Sequence, residues 1–486
     1  ARRRREEQTA AKERAAAAGG TDPYGGWTDG PQLEATGWFR TARHGGRWWL
    51  VTPSGRLFFS LGVDCLSLQF GETFVDGRDG WFAHLPDGDD PDLAPVYGYQ
   101  ENTHSMADPI GGKGRTVSFY RWNLIRKYGA GWRDAWREAA FRRMRRWGFN
   151  TVGEWASAGV MQRSPFPYTV SLAAWGDVRK LSGAEGWWGT MPDVFDPSFE
   201  KVVDHVIRHG MAPHKGSPRC IGCCFDTELG WETIREGVLE CAPDQPGRQV
   251  WIAALQQQYG GFAELNAAWE TDFSGWDAVR APEAETPAAE RDLDRLEALY
   301  ARRYFETVAA AMERHAPNQL YLGCRFALTT PVAVRVCAEY ADVVSYNRYV
   351  HRLDPAEFST FDKPVIIGEF HFGATDRGLF HPGIVPTGSQ KQRARWYRDY
   401  IDSAVSCPSV VGCHWFQYYD EPVTGRSLDG ENYNVGLVDV TDTPYPELTA
   451  AARRAHRGLY ERLGPGKGGA GSAPASEGAE GDGAPR

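Results

Sequence analysis

Eight short apolar runs, most of them separated by helical stretches, predict an α/β chain folded as a (β/α)8 TIM barrel, with a short amino-terminal β-hairpin and long loops over its carboxy-terminal face. Two further observations point the same way. The 486 residues leave ample length for a barrel with insertions, and polar residues of similar kind follow nearly every apolar run. A doubly wound open sheet is the structural alternative, but Gly62-Val63-Asp64-Cys65 after the first run is not a glycine-rich phosphate turn.

The elements follow in order. Residues 1–20 and 464–486 are low-complexity and read as disordered tails around one catalytic barrel domain, 21–463. Gly45-Gly46 separates two strand-like segments, the second being Trp48 to Val51, which predicts a hairpin feeding a buried strand. The eight predicted barrel strands are 57–62, 149–154, 167–172, 221–226, 320–325, 342–347, 364–370 and 410–416. Residues 70–130, rich in Gly, Asp and Pro, are too long for an ordinary connection and read as a functional loop. A helix is predicted over Trp132 to Trp147, and another opens at Asp196-Pro197 with a capping carboxylate and proline at its first position. Helical segments follow over 247–269. Thr286-Pro287 starts a long helix whose Leu293, Leu296, Tyr300, Tyr304, Val308 and Met312 make one apolar stripe.

Apolar residues are 42% and charged residues 24%, values of a globular chain with a large core. No run of about 18 apolar residues exists, so no membrane partner is expected. The net charge of −9, more acidic still without the Arg2 to Arg5 run, argues against nucleic acid and for a neutral partner. Nine cysteines leave at least one thiol unpaired; Cys220, Cys223 and Cys224 read as buried small hydrophobes rather than half of a zinc site. The 19 Trp, 20 Tyr and 23 Phe imply an aromatic core, a ring-lined binding surface, or both. Compartment stays open, secreted or periplasmic if a signal segment was removed and otherwise cytoplasmic, and the oligomeric state is not legible.

Function in a barrel gathers where strands end. The first ends at Asp64, the second at Glu154-Trp155, the fourth at Asp226-Thr227-Glu228, the fifth at Arg325 and the sixth at Tyr346-Asn347. The seventh ends at Glu369 and His371, the eighth at His414, Trp415 and Gln417. Glu228 and Glu369 are expected to face each other across the mouth, as glycoside hydrolysis requires of a protonated and an ionised carboxyl. An aromatic wall from Trp231 is expected to keep Glu228 protonated, the Tyr346 hydroxyl to keep Glu369 charged, and Trp415 to floor a sugar ring. Asp64, Glu154, Trp155, Thr227, Arg325, Tyr346, Asn347, His371, His414, Trp415 and Gln417 are the candidate substrate-binding residues. The two histidines lack a third ligand at suitable spacing, so sugar contact or packing is expected of them, with no metal and no cofactor.

At these residues the sequence resembles the β-agarase family of glycoside hydrolases (family 50), within the retaining clan A. The likeness runs from about Gly37 to Leu463 and is carried most specifically by KPVIIGEFHFGATDRGLFHPG (363–383) and VGCHWFQYYDEPVTGRSLDGENYNVGLVDVTDTPY (411–445). The resemblance implies Glu228 as acid/base, Glu369 as nucleophile and double displacement through a covalent glycosyl-enzyme. The chain departs from the clan pattern at Thr227, where Asn usually precedes the acid/base, and at Glu154, where Asn is also expected.

The expectation is therefore a retaining, exo-acting hydrolase of β-linked galactan, with agarose or neoagaro-oligosaccharides as the first substrate. Residues 70–130 and Asp376 to Thr387 are expected to wall its cleft. A β-galactosidase or other exo-glycosidase on small sugars is the alternative, because Gln258 to Trp269 resembles a feature of barrel β-galactosidases. A sugar-binding protein without turnover is the third possibility.

Overall fold

The computed structural model describes residues 20–174 and 176–464, so the tails predicted to be disordered lie outside it except for Gly20 and Gly464. Eight parallel strands make the barrel: β1 (Ser60–Val63), β2 (Thr151–Val152), β3 (Tyr168–Leu172), β4 (Cys220–Phe225), β5 (Leu320–Tyr321), β6 (Val344–Asn347), β7 (Val365–Phe370) and β8 (Val410–Trp415). They pair in the order β5-β4-β3-β2-β1-β8-β7-β6. The ring closes just beyond β5, where Phe326 N–H donates to Ser345 O and Asn347 N–H to Phe326 O, both at 2.9 Å. Each strand lies where an apolar run was predicted. The start of β1 differs, because Leu57–Phe58 pairs antiparallel with the hairpin instead.

That hairpin, Arg40–His44 with Arg47–Val51, turns on Gly45 and Gly46, both at positive φ as a two-residue turn demands. It stoppers the lower end of the barrel: Phe39, Leu50 and Phe58 pack with the inward-facing Ile221, Leu320, Val343, Ile366 and Val411. Above this apolar plug the interior becomes polar, so the buried charges collect at the strand carboxy-termini. All nine cysteines are buried free thiols, with Cys220 and Cys223 against the helices and Cys224 inside the barrel.

Residues 70–130 are not the loop expected. Thr73–Phe74, Gly114–Val117 and Tyr97–Gln100 form a small antiparallel sheet around Val75, Val96 and Val117, followed by a helix over Phe119–Tyr128. Strands of two to four residues, cut by Gly and Pro, are too short to show a period of two. The predicted helices are present at Trp132–Trp147, Pro197–Met211 and Pro287–His315. The last two are capped by the Asp196 carboxylate on Ser198 N–H and the Thr286 hydroxyl on Ala289 N–H. No helix among the described residues is long and apolar enough to cross a membrane.

Asp442 ties the segment after β8 to the helices Phe119–Tyr128 and Trp132–Trp147. Its fully buried carboxylate accepts from Arg143 (2.6 Å), Lys127 (2.8 Å) and the hydroxyls of Tyr128 (2.8 Å) and Tyr120 (3.1 Å). Burial alone would raise this carboxyl, but the two cations hold it below the usual range. Asp442→Asn is expected to cost about 3 kcal/mol at neutral pH by stranding Arg143 and Lys127. Because the folded carboxyl is depressed, the wild-type advantage is present above about pH 4 and lost as pH falls through the folded value. Denaturant midpoints of both proteins at pH 7 and pH 3 measure this, and an equal gap at both would contradict it.

Candidate active site

The strand ends turn abruptly. Cys65, Trp155, Asp226, Glu228 and Arg325 all hold left-handed backbone, with φ between 48° and 60°. Five such non-glycine residues at the ends of β1, β2, β4 and β5 are backbone strain concentrated on one face of the barrel.

Arg325 is the centre of charge. Its guanidinium is fully buried and reaches Glu369 Oε1 at 2.8 Å, the Glu154 carboxylate, and Asp64 at 3.7 Å, while lying 4.3 Å over the Trp155 ring. Arginine only donates, so its Nε fixes the Asn347 amide with Oδ1 facing it at 3.0 Å. The other end of that amide then serves both glutamates: Nδ2 donates to Glu228 Oε1 at 2.8 Å and to Glu369 Oε1 at 2.9 Å. The nearest carboxylate oxygens are therefore closer together than the sum of two ordinary hydrogen bonds. The Tyr349 hydroxyl completes Glu369 by donating to Oε2. Burial pushes the Glu369 carboxyl up to about 8, helped by the charge of Glu228 and opposed by Arg325 and Tyr349.

The remaining candidates divide by depth. Trp155, Thr227 and Glu228 are partly exposed at the mouth. Asp64 is wholly buried beneath it, accepting Glu154 N–H at 2.9 Å, and burial raises its carboxyl well above the ordinary range against the pull of Arg325. His414 sits under Asp64 with its Nε2 2.9 Å from the Ser60 hydroxyl. His371 Nε2 accepts Ile384 N–H, and Gln417 donates to Glu421. Burial depresses both histidines to about 3, so their rings are neutral. No group of three potential metal ligands occurs among the described residues.

Three predicted contacts are corrected. Tyr346 does not reach Glu369; its ring packs between Phe326 and Phe358, and the hydroxyl on Glu369 belongs to Tyr349. Trp415 offers no sugar floor, being fully buried against Phe370 and Tyr397 with its N–H on Val435 O. Both errors follow from the pleat: Asn347 and His414 point inward, so their neighbours Tyr346 and Trp415 must point outward. The indole beside Glu228 is also not Trp231, which stacks on Phe305 in the core, but Trp188, whose Nε1 donates to Glu228 Oε2 at 2.8 Å. Trp188 lies at the turn between the paired strands Lys180–Gly186 and Gly189–Pro192 after β3, where no spacing links it to β4.

The 376–387 segment, expected to wall the cleft, meets the chain after β8 through His381. His381 stacks on Tyr433 at 4.8 Å, beside Glu431, whose carboxylate is held by Arg426 at 2.6 Å. His104, from the 70–130 segment, stacks on Trp187 at 5.0 Å.

No known family profile matches the chain. It is 37% identical to β-agarase B of Vibrio sp. (strain JT0107) over 483 residues, 91% of this chain and 50% of that protein. β-Agarase A of the same strain is 35% identical over 458 residues, 85% of this chain and 45% of that protein. The chain thus spans about half the length of these curated relatives. The solved structure of an exo-β-agarase superposes with a TM-score of 0.87 at 35% identity, covering 95% of this chain and 71% of that one. The agarase AgWH50C superposes at 0.83 and 33% identity, covering 94% and 70%. With the barrel and two facing glutamates in place, identity of this level over nearly the whole folded body means that the chain belongs to the β-agarase family of glycoside hydrolases, family 50.

Proposed function

We propose that the chain is a retaining, exo-acting glycoside hydrolase that cleaves β-linked galactan, with agarose and neoagaro-oligosaccharides as leading substrates. The observation that carries the mechanism is the shared Asn347 amide. Two carboxylates on one nitrogen cannot be far apart, and their separation suits direct attack at about 5–5.5 Å rather than the wider gap, about 6.5–9.5 Å, that accommodates a water. Glu228 gives its proton to the glycosidic oxygen as that bond breaks, and Glu369 attacks the anomeric carbon from the other face. Glu228, now ionised, then takes a proton from the water that releases the sugar from Glu369. Fixed donors from Arg325, Asn347 and Tyr349 favour the ionised form of Glu369 against its burial. Exo action is supported by the likeness to a solved exo-β-agarase.

A panel of defined agaro-, carrageenan and other galactan oligosaccharides, with a nitrophenyl β-galactoside, tests the proposal. Agaro-oligosaccharides are expected to yield one short product from chain ends with retained configuration. A mixed ladder at early times removes exo action, an inverted anomer removes double displacement, and activity on the nitrophenyl galactoside alone selects the small-sugar alternative.

Two variants probe the roles. Glu228→Ala is expected to slow natural substrates by about 10²–10⁴-fold and to spare those with good leaving groups, which need no proton. Tyr349→Phe removes a donor that favours the Glu369 anion, so the acid limb of kcat/KM, already high because burial raises Glu369, is expected to rise by about one further pH unit. A limb that stays in place would detach Tyr349 from the ionisation of Glu369.

A further inference from the structure

Trp188 is not explained by the mechanism above. Its indole N–H lies 2.8 Å from Glu228 Oε2, while Asn347 occupies Oε1. Indole and amide N–H groups can only donate, so both Glu228 oxygens are engaged as acceptors and neither is free to aim a proton at a leaving oxygen. The acid step, however, needs a proton on Glu228 aimed at the leaving oxygen. Both rings are accessible: Trp188 and Trp187 are 37% and 51% exposed at a hairpin turn. The turn is clasped by His104, which stacks on Trp187, meets Trp188 edge-on at 5.1 Å, and has Nε2 2.6 Å from Trp187 O. The Nδ1 of His104 accepts Met106 N–H, so the proton on that ring is at Nε2 and points to the hairpin.

Resting on the hydrolase reading, we propose that Trp188 is a positioning residue for Glu228: its N–H holds the carboxylate while the site is empty, and a pyranose ring seated on the leaving-group side displaces that bond. Glu228 then takes one proton from solvent at the freed oxygen and passes it to the glycosidic oxygen, which keeps the bonding pair of the broken C–O bond. The flat faces of Trp187 and Trp188 supply the apolar platform such a ring needs. Binding of the leaving group and readiness of the acid become one event.

The pH dependence separates this from a merely structural role. The other charged or titratable groups facing Glu228 are Glu369 from β7, Tyr349 after β6 and Glu431 from the segment after β8, with His104 behind Trp188 and the Arg325 guanidinium reaching Glu228 only through Glu369 and Asn347. All are retained in Trp188→Phe, which keeps a flat though smaller ring and removes the N–H. In the wild type the basic limb of kcat, reporting the complex, is expected to lie about one pH unit above that of kcat/KM, reporting the free enzyme. In Trp188→Phe the kcat/KM limb moves up and the two converge, with a smaller shift of the same sign in His104→Ala. Limbs unchanged in both variants, in an enzyme that hydrolyses the galactan panel, overturn the role of Trp188 and leave the hydrolase intact. If the wild type hydrolyses nothing in the panel, the functional proposal fails by itself. The Trp188–Glu228 link is then read from tryptophan fluorescence against pH, where a step absent from Trp188→Phe and from Glu228→Gln supports the link and no step overturns it.

Discussion

Replacing Glu369 with alanine is expected to lower turnover of agaro-oligosaccharides by on the order of 10⁴-fold or more, because on the proposed mechanism Glu369 forms the bond to the anomeric carbon. The cavity left in its place opens a route for a small anion. Sodium azide is expected to restore a measurable rate on substrates with good leaving groups, giving a glycosyl azide of inverted configuration, since azide attacks from the side Glu369 occupied. The same anion added to Glu228→Ala should give the opposite anomer, formed by attack on the covalent intermediate. The two products therefore assign both glutamates in one comparison. Retained turnover in Glu369→Ala, or azide products of the same configuration in both variants, would remove Glu369 as nucleophile. A destabilised variant does not blur the test, because azide cannot rescue an unfolded site.

The barrel was legible because strands buried on both faces appear as uninterrupted apolar runs, as in Val365–Phe370 and Val410–Trp415. Glu228 and Glu369 were legible because strand ends in a barrel are functionally equivalent positions, so chain order alone brings them to one mouth. What escaped was whatever chain order does not encode. Tyr349 lies two residues beyond β6, where the pleat no longer predicts direction, and Trp188 arrives from a hairpin whose turn has no fixed distance to Glu228. The division of the aromatic residues was legible only in outline. Trp49, Trp231, Trp251 and Trp415 are core, whereas Trp155, Trp187 and Trp188 stand at the mouth. Thr227 and Glu154, the two departures from the clan pattern, fall into different layers. Thr227 stands at the mouth 3.5 Å from Asn347 Nδ2, whereas Glu154 is buried against Arg325 and answers to charge balance.

That charge balance carries the second large effect. Among the described residues Arg325 is the one arginine or lysine paired with Glu154, Glu369 and Asp64 within hydrogen-bond or near-contact range, and neither it nor Asp64 has any exposed surface. Arg325→Met keeps most of the side-chain volume beneath Trp155 and leaves the carboxylates without their counter-charge. Removing one partner of a buried ion pair costs about 3–5 kcal/mol, since the stranded charge keeps its desolvation penalty. The sign with pH follows from the carboxyls. Burial already raises Asp64 and Glu369, Arg325 opposes it, and without the arginine both must rise further. Groups whose folded pKa lies above the unfolded value contribute stability below about pH 4 and lose it as pH climbs through the folded value. Because Glu369 in the wild type itself ionises only at about 8, the stability gap between Arg325→Met and the wild type is expected to be nearly constant up to about pH 7 and to widen from there toward pH 9. Turnover should fall as well, with the acid limb of kcat/KM displaced upward because Glu369 ionises later. Adding Glu154→Gln removes one stranded charge, so the double variant should regain part of the stability at pH 9 without regaining turnover. Denaturant midpoints at the two pH values decide the matter: a gap that does not widen with pH assigns the loss to packing under Trp155 rather than to charge.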